Sequence, residues 1–110
     1  MQTTTQRWTR DAWFAVAPEL SRADRMLREM GRRIRQRREY LKLSQAALGE
    51  GVGARLTELG AEHLRLGTIR QATVSDWERG QRMPDLVCVI ALAKELGLSV
   101  GKLVTGKDCG

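Results

Sequence analysis

Helix start and stop signals recur along this chain, and between them apolar residues fall at three- and four-residue steps. Convincing two-residue alternation, the mark of a half-buried strand, is absent. Only two prolines interrupt the sequence, Pro18 and Pro84, so the chain is expected to be all-α. Ser21, after "PEL", reads as an N-cap with Asp24 three residues on and Leu20 as a staple. Ala23, Leu27, Met30, Ile34 and Leu41 follow as one stripe of a long, arginine-rich helix. Ser44 caps the next helix, "SQAALGE". Pro84 opens another as its first residue, "PDLVCVIALAKELG", which Gly97 ends. Ser99 starts a last short one, "SVGKLV", and residues 106–110 are expected to be a flexible tail.

The middle admits two readings. Leu48, Val52, Leu56 and Leu59 share a face if one helix runs from Ser44 to about Gly60. Gly49, Gly51 and Gly53 each weaken that helix by roughly 1 kcal/mol relative to Ala, and a break near Gly51 is the alternative.

At 110 residues there is room for one domain and a modest extension. The net charge of +6 suggests a polyanionic partner. No apolar run reaches membrane-spanning length, and the N-terminus lacks the unbroken apolar stretch of a signal peptide, so the chain is expected to be cytoplasmic with no membrane partner. Cys88 and Cys109 show no CxxC spacing, and Cys88 reads as a small core side chain. His63 is expected at the surface. No nucleophile–base pair or metal set is visible, so neither an enzyme nor a cofactor is expected.

The stretch "QATVSDWERGQRMPD" is the most informative. In a helix from Gln71 to Arg79, Val74 and Trp77 share one face. Gln71, Ala72, Ser75, Asp76 and Arg79 share the other. That second face is short and polar, and its small residues allow close approach. Gln can contact adenine through two hydrogen bonds, and Asp can accept from the cytosine amino group. Asp76 could instead repel wrong sites. Gly80 ends the helix, and "QRMP" leaves backbone N–H groups and Arg82 free to meet phosphate. This is the pattern of a recognition helix for a major groove.

Two stretches, "RIRQRREYLKLSQAAL" and "ATVSDWERGQRMPDLVCVIALAKELGLSVGKLV", resemble the helix-turn-helix family of phage Cro and repressor proteins, the xenobiotic-response-element type. The likeness covers about Gly31 to Val104. It implies a five-helix, lambda-repressor-like DNA-binding domain, here over residues 21–105 after an N-terminal extension, 1–20. By the same likeness Gln45 would bond a phosphate and brace the reading helix. Gln71 and Ala72 would meet base edges, with Ser75 and Asp76 deeper along the helix. Arg70, Arg79, Gln81 and Arg82 would hold the DNA backbone. Glu78 would pair with Arg38 as a structural ion pair.

The chain departs from that family in three places. It carries extra residues around "GVGARLTELGAEHLRLG", which either lengthen helix 2 or form a flap. Arg70 stands where a capping Ser or Thr is usual, a role Thr68 could take over. The first helix starts early, and residues 7–30 could hold a protein partner. Trp8, Trp13 and Phe14 read either as a small helix packed on the domain or as a dimer or docking contact. Arg32, Arg33, Arg35, Arg37 and Arg38 are either a solvated face or partly laid along phosphate. The expected function is a sequence-specific regulator of transcription, a repressor, binding a (pseudo)palindromic double-stranded DNA operator as a homodimer. A DNA-binding antitoxin and a protein-binding adaptor are the alternatives.

Overall fold

The computed structural model describes residues 18–61 and 69–107. Among the described residues five helices follow one another: α1 (Pro18–Tyr40), α2 (Gln45–Glu58), α3 (Gln71–Glu78), α4 (Leu86–Leu96) and α5 (Val100–Thr105). There is no strand among the described residues. Trp8, Trp13, Phe14, His63, Thr68 and Cys109 lie outside them.

The caps set the boundaries. Ser44 and Ser99 accept from the backbone N–H three residues on, each at 3.0 Å. Two sequence expectations are corrected. Helix α1 begins at Pro18, not at a Ser21 cap, because a proline's missing N–H costs nothing in a first turn. Helix α4 begins at Leu86, not at Pro84: Asp85 accepts from the Cys88 N–H at 2.9 Å and so becomes the N-cap. Arg70 is the N-cap of α3 without a side-chain hydrogen bond. At the other end of α3, Gly80 takes φ +69°, which lets the Gln81 N–H return to the Asp76 carbonyl at 2.9 Å.

Helix α2 runs unbroken through its glycines, so the break near Gly51 does not occur. Leu48, Val52 and Leu56 are buried along it, and that burial outweighs the propensity cost. Two of the glycines are also places of close approach. A Cβ on Gly49 would lie 2.7 Å from the Ile69 carbonyl oxygen, and one on Gly51 would collide with the Glu95 carboxylate.

The core gathers Met30 and Ile34 of α1, the α2 stripe, Val74 and Trp77 of α3, Cys88, Leu92 and Leu96 of α4, and Leu103 of α5. Helix α2 packs along α4, and α3 is wedged between α1 and α2. The outer ends of the expected stripes are not core: Ala23, Leu41 and Leu59 are exposed. Leu41 falls beyond the end of α1, and Leu59 falls in the turn after α2.

The arginines of α1 do work that their sequence does not announce. Arg37 donates to the Leu96 carbonyl at 2.8 Å, at the end of α4. Arg33 donates to the Leu103 and Val104 carbonyls at 2.8 and 2.7 Å, in the last turn of α5. Helix C-termini leave carbonyls unpaired and carry negative partial charge, so each guanidinium satisfies both needs. Arg35 pairs only with Glu39 on its own helix, exposed.

Candidate nucleic-acid interface

Helix α3 turns one face inward and one outward. Val74 and Trp77 are fully buried, which fixes the helix on its axis. Gln71 and Ala72 are exposed, and Ser75 and Asp76 are half-buried. Arg70, Arg79, Gln81 and Arg82 are exposed around the two ends of the helix. Thus the residues expected to read bases share one outward surface, flanked by those expected to hold phosphate.

A polar network anchors that surface. Glu78 is the buried charged residue among those described. Arg38 grips it with two bonds: Nε donates to Oε2 at 2.5 Å and Nη2 to Oε1 at 3.1 Å. The side chains are only 12% and 3% exposed. The third guanidinium nitrogen of Arg38 donates to the Leu43 carbonyl at 2.9 Å. The hydrogen bond to Glu78 raises the Arg38 pKa above its ordinary value, against a smaller opposing effect of burial. Gln45, in the first turn of α2, donates from Nε2 to Glu78 Oε1 at 3.0 Å. Its Oε1 accepts a long contact from Gln71 Nε2 at 3.5 Å. One chain of polar groups therefore ties α1, α2 and both ends of α3 together.

Two assigned roles meet in the same contact. Arg79 Nη2 donates to Asp76 Oδ1 at 2.8 Å, an i,i+3 pair on the outward face. In the free protein the acid and the arginine hold each other, so using either on DNA means exchanging that bond.

Gly31 was not singled out from the sequence. A Cβ there would lie 2.6 Å from the Glu78 carbonyl oxygen and would also collide with that of Trp77. The bare glycine is what lets α1 lie against the end of α3. A glycine inside an otherwise helical pattern was the available signal.

A helix with a tightly anchored inner face and a short polar outer face, preceded by a capped helix, defines a helix-turn-helix unit. The sequence profile described as "Helix-turn-helix domain" matches residues 29–104, and the chain belongs to that family. Repressor protein C2 of Salmonella phage P22 is 36% identical over 77 residues. That match takes in 70% of this chain but 29% of the phage protein, so the chain spans less than a third of this relative's length. The crystal structure of the P22 c2 repressor protein in complex with synthetic operator 9T, in the presence of Tl+, superimposes with a TM-score of 0.56 at 36% identity. It covers 71% of this chain and 96% of the other. Among the described residues, no helix is long and apolar enough to cross a membrane.

Proposed function

We propose that this protein is a transcriptional repressor that binds double-stranded operator DNA as a homodimer and reads the major groove with α3. One observation carries the reading: Gln71, Ala72, Ser75 and Asp76 present a small polar surface on a helix whose other side is locked into the core. The P22 relative, solved on operator DNA, supports it. Gln71 and Asp76 supply base contacts, Ala72 and Ser75 leave room for close approach, and Arg70, Arg79, Gln81 and Arg82 meet phosphates. Gln45 has one amide N–H left beside its bond to Glu78. That N–H meets a phosphate, so the brace of the reading helix is also a DNA contact. A pair of such domains matches two half-sites about 34–36 Å apart.

Selecting bound fragments from a random DNA pool tests this directly. A palindromic motif with one-turn spacing is expected, and a pool with no enriched motif overturns the reading. Gln71→Ala should cost about 1–3 kcal/mol at the preferred site and relax the choice of one base pair. Uniform weakening on all sequences would make Gln71 a backbone contact instead. Arg82→Ala should weaken specific and non-specific binding alike, with the log–log salt slope lower by roughly one unit. An unchanged slope would remove Arg82 from the phosphate set.

A further inference from the structure

A shallow pocket of about 220 Å³ lies where α1 meets the turn between α4 and α5. Arg33, Gln36, Arg37 and Tyr40 line it from α1, Leu98 from the turn and Lys102 from α5. Half of these side chains are cations and none is an acid. Among the described residues no carboxylate pairs with Arg33, Arg37 or Lys102.

Cations gathered in one place repel each other, and here the backbone holds them there. Arg33 is tied through Nε and Nη2 to the Leu103 and Val104 carbonyls, and Arg37 through Nε to the Leu96 carbonyl. Arg37 also lies over the Tyr40 ring, 4.8 Å from its centroid. Lys102 Nζ donates to the Gly106 carbonyl at 3.3 Å. A helix C-terminus supplies only about half a negative charge, so most of the positive charge remains. The arginines also keep donors: Nη1 on Arg33, and both Nη groups on Arg37. The backbone bonds thus orient the guanidiniums without exhausting them, and an incoming anion meets side chains that are already ordered.

We propose that this pocket binds the phosphate monoester or diphosphate group of a small molecule. Charge decides the class of ligand. A carboxylate or a DNA phosphodiester carries one negative charge, which a single guanidinium fork satisfies. Three converging cations match a group with more, and a terminal phosphate carries about −1.5 to −2 at pH 7. Position separates the pocket from α3. Arg37 and Arg38 are neighbours on α1 and so point about 100° apart. Arg38 faces Glu78 of α3, whereas Arg37 faces the end of α4. The proposal stands whether or not α3 reads DNA.

Inorganic pyrophosphate is the probe, titrated into the full-length protein by calorimetry at constant ionic strength. Saturable binding is expected. Gln36→Glu sets a carboxylate among the cations at an exposed position, and Lys102→Gln removes one of them. Each should weaken binding by about tenfold or more, while circular dichroism and melting without pyrophosphate stay unchanged. Arg25→Gln, an exposed cation two helical turns before Arg33, and Arg82→Ala, beside α3, should bind pyrophosphate as the parent protein does. The absence of saturable binding overturns the proposal. So does an equal loss in Arg25→Gln, which makes the binding a response to overall charge. Binding lost in Arg82→Ala and kept in both pocket variants also overturns it and gives the anion to the α3 surface. A lower log–log salt slope for Lys102→Gln on non-specific DNA, with no pyrophosphate bound, assigns these cations to the DNA backbone instead.

Discussion

Glu78→Ala should lower the melting temperature far more than it alters base choice. The carboxylate accepts both arms of Arg38 and the amide of Gln45, and its side chain is 3% exposed. Truncation leaves the Arg38 guanidinium with the Leu43 carbonyl as its remaining partner. That guanidinium cannot escape by losing its proton, because arginine stays charged at any ordinary pH. Removing one partner of a buried pair costs about 3–5 kcal/mol. A small domain has only about 5–15 kcal/mol in all, and each kcal/mol is worth roughly 4–8 °C. A fall of ten degrees or more is therefore expected.

The physical origin of that loss is the orphaned charge, not the lost attraction. Arg38→Met combined with Glu78→Leu should therefore recover part of it, since no unpaired charge remains. Folding free energies of both single variants and the double complete the cycle. If the two single effects simply add, Arg38 and Glu78 do not act as a pair. The Gln45 amide complicates only the Glu78 arm, as its N–H turns to solvent once the carboxylate is gone.

The features that could be read from the sequence are the local ones. Ser44, Ser99 and Gly97 announce helix ends because a cap is a contact within three or four residues. The inward Val74–Trp77 face was readable for the same reason. Where two local signals competed, chemistry decided: Pro84 and Asp85 can both open a helix, and the aspartate prevails because it satisfies a free N–H. The arginine run could not be resolved. A guanidinium that caps α4 or α5 from α1 looks, in sequence, like one that faces water, and its carbonyl partners lie 59 to 71 positions away. The glycines of α2 were misleading in the other direction. Each was a helix weakener by propensity, but only tertiary contacts reveal that Gly49 and Gly51 stand where a neighbour comes close. On the outward face, the spacing of Gln71, Ala72, Ser75 and Asp76 was legible, whereas the hold of Arg79 on Asp76, an i,i+3 pair, was not anticipated.

Gly31→Ala should also destabilise the domain, although alanine is the better helix former. Two terms oppose each other. Replacing a glycine inside a helix gains up to about 1 kcal/mol. Against that, the new Cβ would stand 2.6 Å from the Glu78 carbonyl oxygen and 2.9 Å from its carbon. These are backbone atoms at the end of α3, so no side chain can rotate away. Relief comes only by moving α1 off α3, and such overpacking costs about 1–3 kcal/mol, sometimes more. The steric term wins, and the displacement has a second consequence. Arg38 lies two helical turns further along α1 on the same side, so separating the helices stretches its bonds to Glu78. Gly31→Ala and Glu78→Ala should accordingly be less than additive, because the first already spends part of what the second removes. Gly53→Ala is the matched control. It lies in the interior of α2 with nothing within 4 Å of a new Cβ, and should stabilise by up to about 1 kcal/mol. Denaturant unfolding of the two variants side by side checks the argument. A Gly31→Ala protein as stable as Gly53→Ala would mean that α1 and α3 do not depend on close backbone contact, and that the Arg38–Glu78 pair and the buried Val74 and Trp77 suffice to hold α3.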